Sequence, residues 1–208
     1  MRAFTFSASA VALPLCAALA QAAVIQSTFD TDLEGWVISN TLGAQWQAAG
    51  GNPGGYAHID NTEQQIAFMF APPAFLGDLS AYNGQPFSFD AIQIEGGGSP
   101  WDNFENFGRL RITGVGGTVS ADLVPGTTGP GASWTTYSIP FTAASFGVND
   151  LTWSTLLTGV TEISLSVEGL FGNEVNGVDN VRLVPGPGAI VPGAMIAAGI
   201  AIRRRRDR

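Results

Sequence analysis

Apolar and polar side chains alternate with a period of two through the middle of this 208-residue chain, the pattern of strands with one buried face. Leu110 and Ile112 fall on one face, Arg109 and Arg111 on the other. Ile163, Leu165 and Val167 alternate with Ser164, Ser166 and Glu168, and Val181 and Leu183 alternate with Asn180 and Arg182. Phe87 and Phe89 begin an alternation that slips phase by Ile92 and Ile94, as a bulge or a doubly buried strand would. Gly35–Ser39, Gln45–Ala49, Tyr56–Asp60, Ile66–Ala71, Thr118–Val124 and Trp134–Phe141 are further candidate strands. Turn-forming clusters punctuate them, including Gly50–Gly55, Gly96–Pro100 and Pro125–Ala132. One short helix is predicted within Asn149–Thr158, capped by Asn149 or Asp150, with Leu151, Leu156 and Leu157 turned to the core. About ten short strands with such punctuation predict an all-β antiparallel sandwich or jelly roll. Trp36 and Trp134 stand in strand-like segments and are assigned to its core.

Composition agrees with this class. With 27 Gly and 12 Pro, the chain is poorly suited to a helical bundle or coiled coil. The charge is uneven: all nine basic residues are Arg, and five lie in the last six positions. Between Val24 and Val184 three Arg face 16 acidic residues, a formal charge of −13. So negative a body repels phosphate backbones, which argues against nucleic-acid binding.

The two ends carry patterns of their own. Arg2, an apolar run from Val11 to Ala20 and small residues beyond it predict a secretory signal peptide over residues 1–23. Ala18-Leu19-Ala20 is the first choice of cleavage site and Gln21-Ala22-Ala23 the alternative. The chain's Cys16 lies inside this segment, so the mature protein has no disulfide. The C-terminal segment 185–208 follows a domain predicted to span 24–184. It runs through Val184-Pro185-Gly186-Pro187 and an apolar stretch from Gly188 to Ile202 to Arg203-Arg204-Arg205-Arg206. That stretch has 15 residues, short of the roughly 20 of a comfortable membrane-spanning helix. Arginines beyond it would hold that end on the cytoplasmic side. The three-part tail resembles the PEP-CTERM sorting signal of Gram-negative bacteria, with Gly186 where that motif carries Glu. The resemblance implies transient anchoring in the inner membrane, processing by an exosortase, and delivery to the cell surface or extracellular matrix.

The domain between these ends opens with Ser27-Thr28-Phe29-Asp30-Thr31-Asp32-Leu33-Glu34-Gly35-Trp36 and closes with Gly177-Val178-Asp179-Asn180-Val181-Arg182-Leu183. That pairing resembles jelly-roll carbohydrate-binding modules of the galactose-binding-like architecture. Ala71–Gly84 with its Phe75-Leu76-Gly77-Asp78 core, then Phe87–Asp90, Trp134–Tyr137 and Leu156–Ile163, resemble the laminin B (laminin type IV) domain. This second resemblance implies a non-catalytic extracellular domain and names no ligand.

Little in the chain suggests catalysis. His58 is the sole histidine, there is no Lys, and no Gly-x-Ser-x-Gly elbow, P-loop or Gly-x-Gly-x-x-Gly strand–helix turn occurs. A catalytic zinc site normally needs more than one His. Glycoside hydrolysis needs only two carboxylates about 5–10 Å apart, and Asp102 and Glu105 stand among aromatics in Trp101–Phe107. A loop whose Phe side chains tuck onto the sheet edge and whose acids are solvated is the plainest reading; glycan contact by Trp101, Phe104 or Trp46 comes before catalysis among the functional ones. Strand parity with Val181 and Leu183 points the Asp179 side chain inward, where a lone carboxylate is costly and a cation is a natural partner. Calcium takes about six to eight oxygen ligands. The module resemblance implies Asp30 and Asp179 as side-chain ligands, with carbonyls from Gly50–Gly55 and with Asp32 and Glu34 as further candidates; the alternative is that Asp30 and Asp179 cap turns by accepting from backbone N–H groups. The expectation is an exported, non-enzymatic matrix or surface β-sandwich that binds or builds. A carbohydrate-binding module with a structural calcium ion is the alternative, and a glycosidase a distant third.

Overall fold

The computed structural model of the protein describes residues 22–43, 45–61, 66–96, 99–100, 107–124 and 129–186. Along these residues run β1 (Ile25–Ser27), β2 (Val37–Ile38), β3 (Trp46–Gly51), β4 (Gly54–Asn61), β5 (Phe68–Phe70), β6 (Pro86–Gly96) and β7 (Ser99–Pro100). They are followed by β8 (Arg109–Gly114), β9 (Gly117–Asp122), β10 (Thr135–Pro140), α1 (Asp150–Leu157), β11 (Glu162–Ser166), β12 (Leu170–Phe171) and β13 (Glu174–Leu183). One sheet has the order β10-β6-β13-β4-β3 and the other β2-β5-β11-β8-β9, while β7 and β12 form a small ribbon. The paired strands are antiparallel. The predicted all-β sandwich with one short helix is the architecture observed.

Strand β13 organises the first sheet. On one side β6 follows it from Glu174 to Leu183. On the other, β4 covers Glu174–Val178 and β1 covers Val181–Leu183, so the chain enters and leaves the domain on adjacent strands. The register shifts between Asp179 and Arg182, where Asn180 has φ of +49°, a left-handed conformation that Asn tolerates better than most residues. A second shift leaves Ile94 as an extra residue of β6, because Val175 pairs with Glu95 and Asn176 with Gln93. That bulge lies beyond the phase slip read from the Phe87–Ile94 pattern: Phe87, Phe89 and Ala91 keep a regular inward alternation, Ile92 stands on the opposite face, and Ile94 is exposed.

Ala57, Ile59, Phe87, Phe89, Ala91, Val178, Val181 and Leu183 of this sheet share a core with Met69, Leu110, Ile112, Ile163 and Leu165 of the other. Two of the segments that carry the laminin resemblance, Ala71–Gly84 and Leu156–Ile163, meet in space. Gly77 and Val160 exchange both backbone hydrogen bonds at 2.8 Å, and Leu79 N–H donates to Leu157 O at 2.8 Å. Helix α1 begins where Asn149 Oδ1 accepts from Thr152 N–H at 2.8 Å. Leu156 and Leu157 are buried, but Leu151 is 76% exposed, and Trp153 fills the core position instead.

Some expectations need correction. Ser164, Ser166 and Glu168 occupy the predicted solvent side of their strand yet are buried. Ser164 lies between Phe70 and Arg111, and the Arg111 guanidinium sits 5.5 Å from the Phe68 ring centroid, so large neighbours roof the small serines. Strand β11 ends at Ser166, and Glu168 beyond it accepts from Asn61 Nδ2 at 2.6 Å and Ala67 N at 2.9 Å. The short strands β1, β7 and β12 carry too few residues to show a period and were not anticipated.

Candidate functional site

The outer face of the first sheet collects the unusual side chains. In β4, Gly55, Ala57, Ile59 and Asn61 are buried, so Tyr56, His58 and Asp60 project from the opposite face. Gly177 of β13 lies level with His58 and Ile92 on this face. A Cβ at position 177 would stand 2.8 Å from the Trp134 ring, 2.9 Å from Ile92 and 3.0 Å from Tyr56. The absence of a side chain there lets the two aromatic rings settle onto the sheet. Tyr56 and Trp134 meet edge to face with centroids 5.6 Å apart, and His58 lies 6.0 Å from Tyr56. Burial raises the Tyr56 hydroxyl pKa above its ordinary value. Trp134, expected in the core, is half-buried on this face, because its indole reaches across the sheet to donate from Nε1 to Gly50 O at 2.9 Å.

At one end of the face the β3–β4 turn folds over an acidic cluster. Asp179 Oδ2 accepts from Asn52 N–H at 2.6 Å and Oδ1 from Asn180 N–H at 2.7 Å. Asp90, opposite Asp179 in the register, accepts from Asn52 Nδ2 at 3.1 Å, Asn180 Nδ2 at 2.8 Å and Thr136 Oγ1. Asp30 comes from the other direction: its Oδ1 abuts Gly54, while Thr28 Oγ1 donates to its Oδ2 at 2.9 Å. The Asp179 carboxyl is raised to about 6, foremost by burial and also by the charges of Asp90 and Asp30, against the lowering effect of its two backbone donors.

Asp179 is buried as expected but does not enter the inter-sheet core. Val178 and Val181 both point inward, and the irregularity at Asn180 changes the parity between them, leaving Asp179 beneath the turn on the outer face. Asp30 is exposed and lies beyond the first strand, which ends at Ser27, after Phe29 has taken φ of +51°. Asp32 is also exposed and accepts from Glu34 N–H at 2.6 Å, while Glu34 Oε1 accepts from Thr28 N–H at 3.1 Å. The structure thus brings Asp30 and Asp179 to the same glycine turn, leaves Asp32 in a local turn, and adds Asp90, which the sequence reading did not single out. Its signal was available: Phe87, Phe89 and Ala91 point inward, which puts Asp90 outward. Calcium's oxygen donors are present in kind around Gly51–Gly55, where a Cβ on Gly51 would sit 2.9 Å from Asp179 Oδ2. Among the described residues, however, no three of Asp, Glu, His and Cys are grouped so as to hold a metal ion.

Trp46 is half-buried against the core, and its Nε1–H donates to Phe29 O at 2.6 Å, so it works as a wall of the fold with its polar tip engaged. Trp101 and Phe104, with Asp102 and Glu105, lie outside the described residues, as do Pro187 and Arg203–Arg206 of the sorting motif. Val184, Pro185 and Gly186 are half-buried, and Gly186 N–H donates to Ala81 O at 3.3 Å. Among the described residues no helix is long and apolar enough to cross a membrane.

No protein-family model and no curated protein sequence matches the chain. Solved structures do. The L4b domain of human laminin alpha-2 superposes with a TM-score of 0.55 over 79% of this chain and 98% of that domain, at 8% identity. The laminin-like fold is shared. An exo-beta-agarase matches at a TM-score of 0.51 and 16% identity, over 77% of this chain and 25% of the enzyme's. The family 11 carbohydrate-binding module of a Clostridium thermocellum cellulase matches at 0.44 and 18% identity, over 79% of this chain and 97% of the module.

Proposed function

We propose that this laminin-like sandwich is an exported, non-catalytic module that binds polysaccharide at the cell surface or in an extracellular matrix, through the outer face of its first sheet. The observation that carries this reading is the Tyr56–Trp134 pair, half-buried, set edge to face and held over Gly177 on a sheet surface. Aromatic rings offer apolar faces with a polar tip, suited to the mixed apolar and hydroxyl faces of a sugar ring. Asp60 and Glu95 project from the same sheet, and the body's charge of −13 disfavours polyanions, so the partner is an uncharged glycan. Export rests on the signal-like residues 1–23 and the PEP-CTERM-like tail, for which an exosortase is the proposed processing partner.

A calcium ion is proposed beside the β3–β4 turn, with Asp179 and Asp30 as its carboxylate ligands. Its chemistry there would be to neutralise a buried carboxylate whose neighbouring charges, Asp90 and Asp30, are both negative. Both Asp179 oxygens already accept from Asn52 and Asn180 N–H, so the ion would share that carboxylate with two backbone donors; Asp32, held in a local turn by Glu34 N–H, is not included.

Electrophoresis through gels containing neutral polysaccharides tests the function. Retardation by at least one neutral glucan or galactan, lost in Trp134→Ala and Tyr56→Ala, is the expected result. Equal mobility of wild type and both variants in every gel would return the protein to a purely structural role in the matrix.

A further inference from the structure

We propose that the β3–β4 turn is a strut that sets the position of Trp134, which makes Asn52, Asp90 and Thr136 positioning residues for the aromatic face. The proposal rests on reading that face as the ligand surface. Trp134 stands at the start of β10, an edge strand, directly before Thr135. The bare Gly177 leaves room beneath the Trp134 ring, with Ile92 and Tyr56 around the same point, and Tyr56 meets the ring edge to face. The bond from Nε1 to Gly50 O, 2.9 Å long, anchors the polar tip of the indole.

Gly50 is not held firmly by its own ladder. The β3–β4 pairing is regular at Trp46 with Ala57 and at Gln47 with Tyr56, then shifts before resuming at Gly51 with Gly54. What fixes this stretch is Asn52. Its N–H reaches Asp179 at 2.6 Å, its Nδ2 reaches Asp90 at 3.1 Å, and its carbonyl accepts from Asn180 Nδ2 at 2.6 Å. All three partners belong to β13 and β6, the strands that carry Gly177 and Ile92 beneath the ring. Asp90 closes the circuit by accepting from Thr136, two residues after Trp134. The indole is thus tied at its tip through Gly50 and near its root through Thr136, and both ties converge on Asp90 and Asn52. Hydrogen bonds to charged acceptors are the stronger kind, which suits a fixed point. A binding face pre-set in this way loses less freedom when a ligand docks.

The test uses near-UV circular dichroism and acrylamide quenching of wild type, Asn52→Ala, Asp90→Ala, Trp134→Phe and the double variant Asn52→Ala/Trp134→Phe. The difference between wild type and Trp134→Phe isolates the Trp134 signal among five tryptophans. Asn52→Ala and Asp90→Ala are expected to flatten that dichroic signal and raise quenching. Affinity for a retained neutral polysaccharide should fall about tenfold in Asn52→Ala, with no further fall when Trp134 is already Phe. An unchanged Trp134 signal in both variants overturns the strut, and so does an equal loss of affinity in the Trp134→Phe background. If wild type binds no polysaccharide while Asn52→Ala still frees Trp134, the strut stands and the reading of the face falls. Should the first two variants fold poorly, Thr136→Val removes a single hydroxyl bond to Asp90 and is expected to give the same spectral change in part.

Discussion

Asp179 shows how one residue's setting departs from its sequence pattern. Its carboxyl is raised from 3.8 to about 6, chiefly by burial. In metal-free protein the unfolded chain therefore releases this proton first as pH rises, and between pH 4 and 6 the folded state holds more protons than the unfolded. Stability from this group is complete below pH 4 and is lost as pH climbs through 6. Melting in EDTA should show Tm falling across that window, and the fall should be smaller in Asp179→Asn. A slope equal in both proteins would place the titration elsewhere. Excess calcium at pH 7 should raise Tm of wild type and not of Asp179→Asn, because an ion that binds only the folded state stabilises it. Gly177 gives the complementary case, a residue whose function is to be absent. Gly177→Val puts a β-branched side chain where Trp134 and Tyr56 rest, at an overpacking cost of about 1–3 kcal/mol. Chemical denaturation should register that loss, accompanied by loss of glycan retention. The burial of Asp179 was legible from strand parity, but its place on the outer face was not, since the parity changes at an irregularity, and Gly177 acts through two distant rings.

At the scale of elements, the periodic strands were legible; of the short ones, β2 and β5 fall within predicted segments while β1, β7 and β12 do not. Tyr56–Asp60, Arg109–Ile112 and Trp134–Phe141 carry enough alternation to predict β4, β8 and β10 to within a residue or two. Strands β1 and β2, with three and two residues, exist because a neighbour pairs with them: β13 for β1 and β5 for β2. Helix α1 was placed by its cap, and Asn149→Ala should cost about 1 kcal/mol, seen as a lower midpoint in urea unfolding with an unchanged slope. Its buried face was misjudged at one position. Trp153, Leu156 and Leu157 point inward, while Leu151 looks out. In a helix of eight residues, two turns leave little periodicity to choose between Leu151 and Trp153.

At the scale of the whole molecule, the pairing of β1 with the end of β13 joins the two processing events proposed for the termini to one place in the sheet. It also bears on the choice between cleavage sites. Ala22 is buried in the core cluster, and Tyr82 Oη donates to Ala23 O at 2.7 Å. Cleavage after Ala20 keeps both contacts; cleavage after Ala23 removes them. Intact mass spectrometry of exported protein is expected to show a mature chain starting at Gln21, and one starting at Val24 would contradict this.

The sequence by itself determined the class of fold, because burial on one face of a strand needs only a period of two and turns need only Gly, Pro and Asn at intervals. It also determined the charge of the body and the scarcity of catalytic groups. The apolar side of that period also marked the buried face of the regular strands, but not what gathers on the other face. Ala57 and Ile59 turn into the core shared with Leu110 and Ile163 of the other sheet, which leaves Tyr56, His58 and Asp60 on the outer face. Tertiary structure likewise decided that Trp134 lies over Gly177 and that Asp90 joins Asp179 beneath a turn some 40 and 130 residues away in sequence. The outer face is made of long-range register, and register is fixed by the summed burial of whole strands.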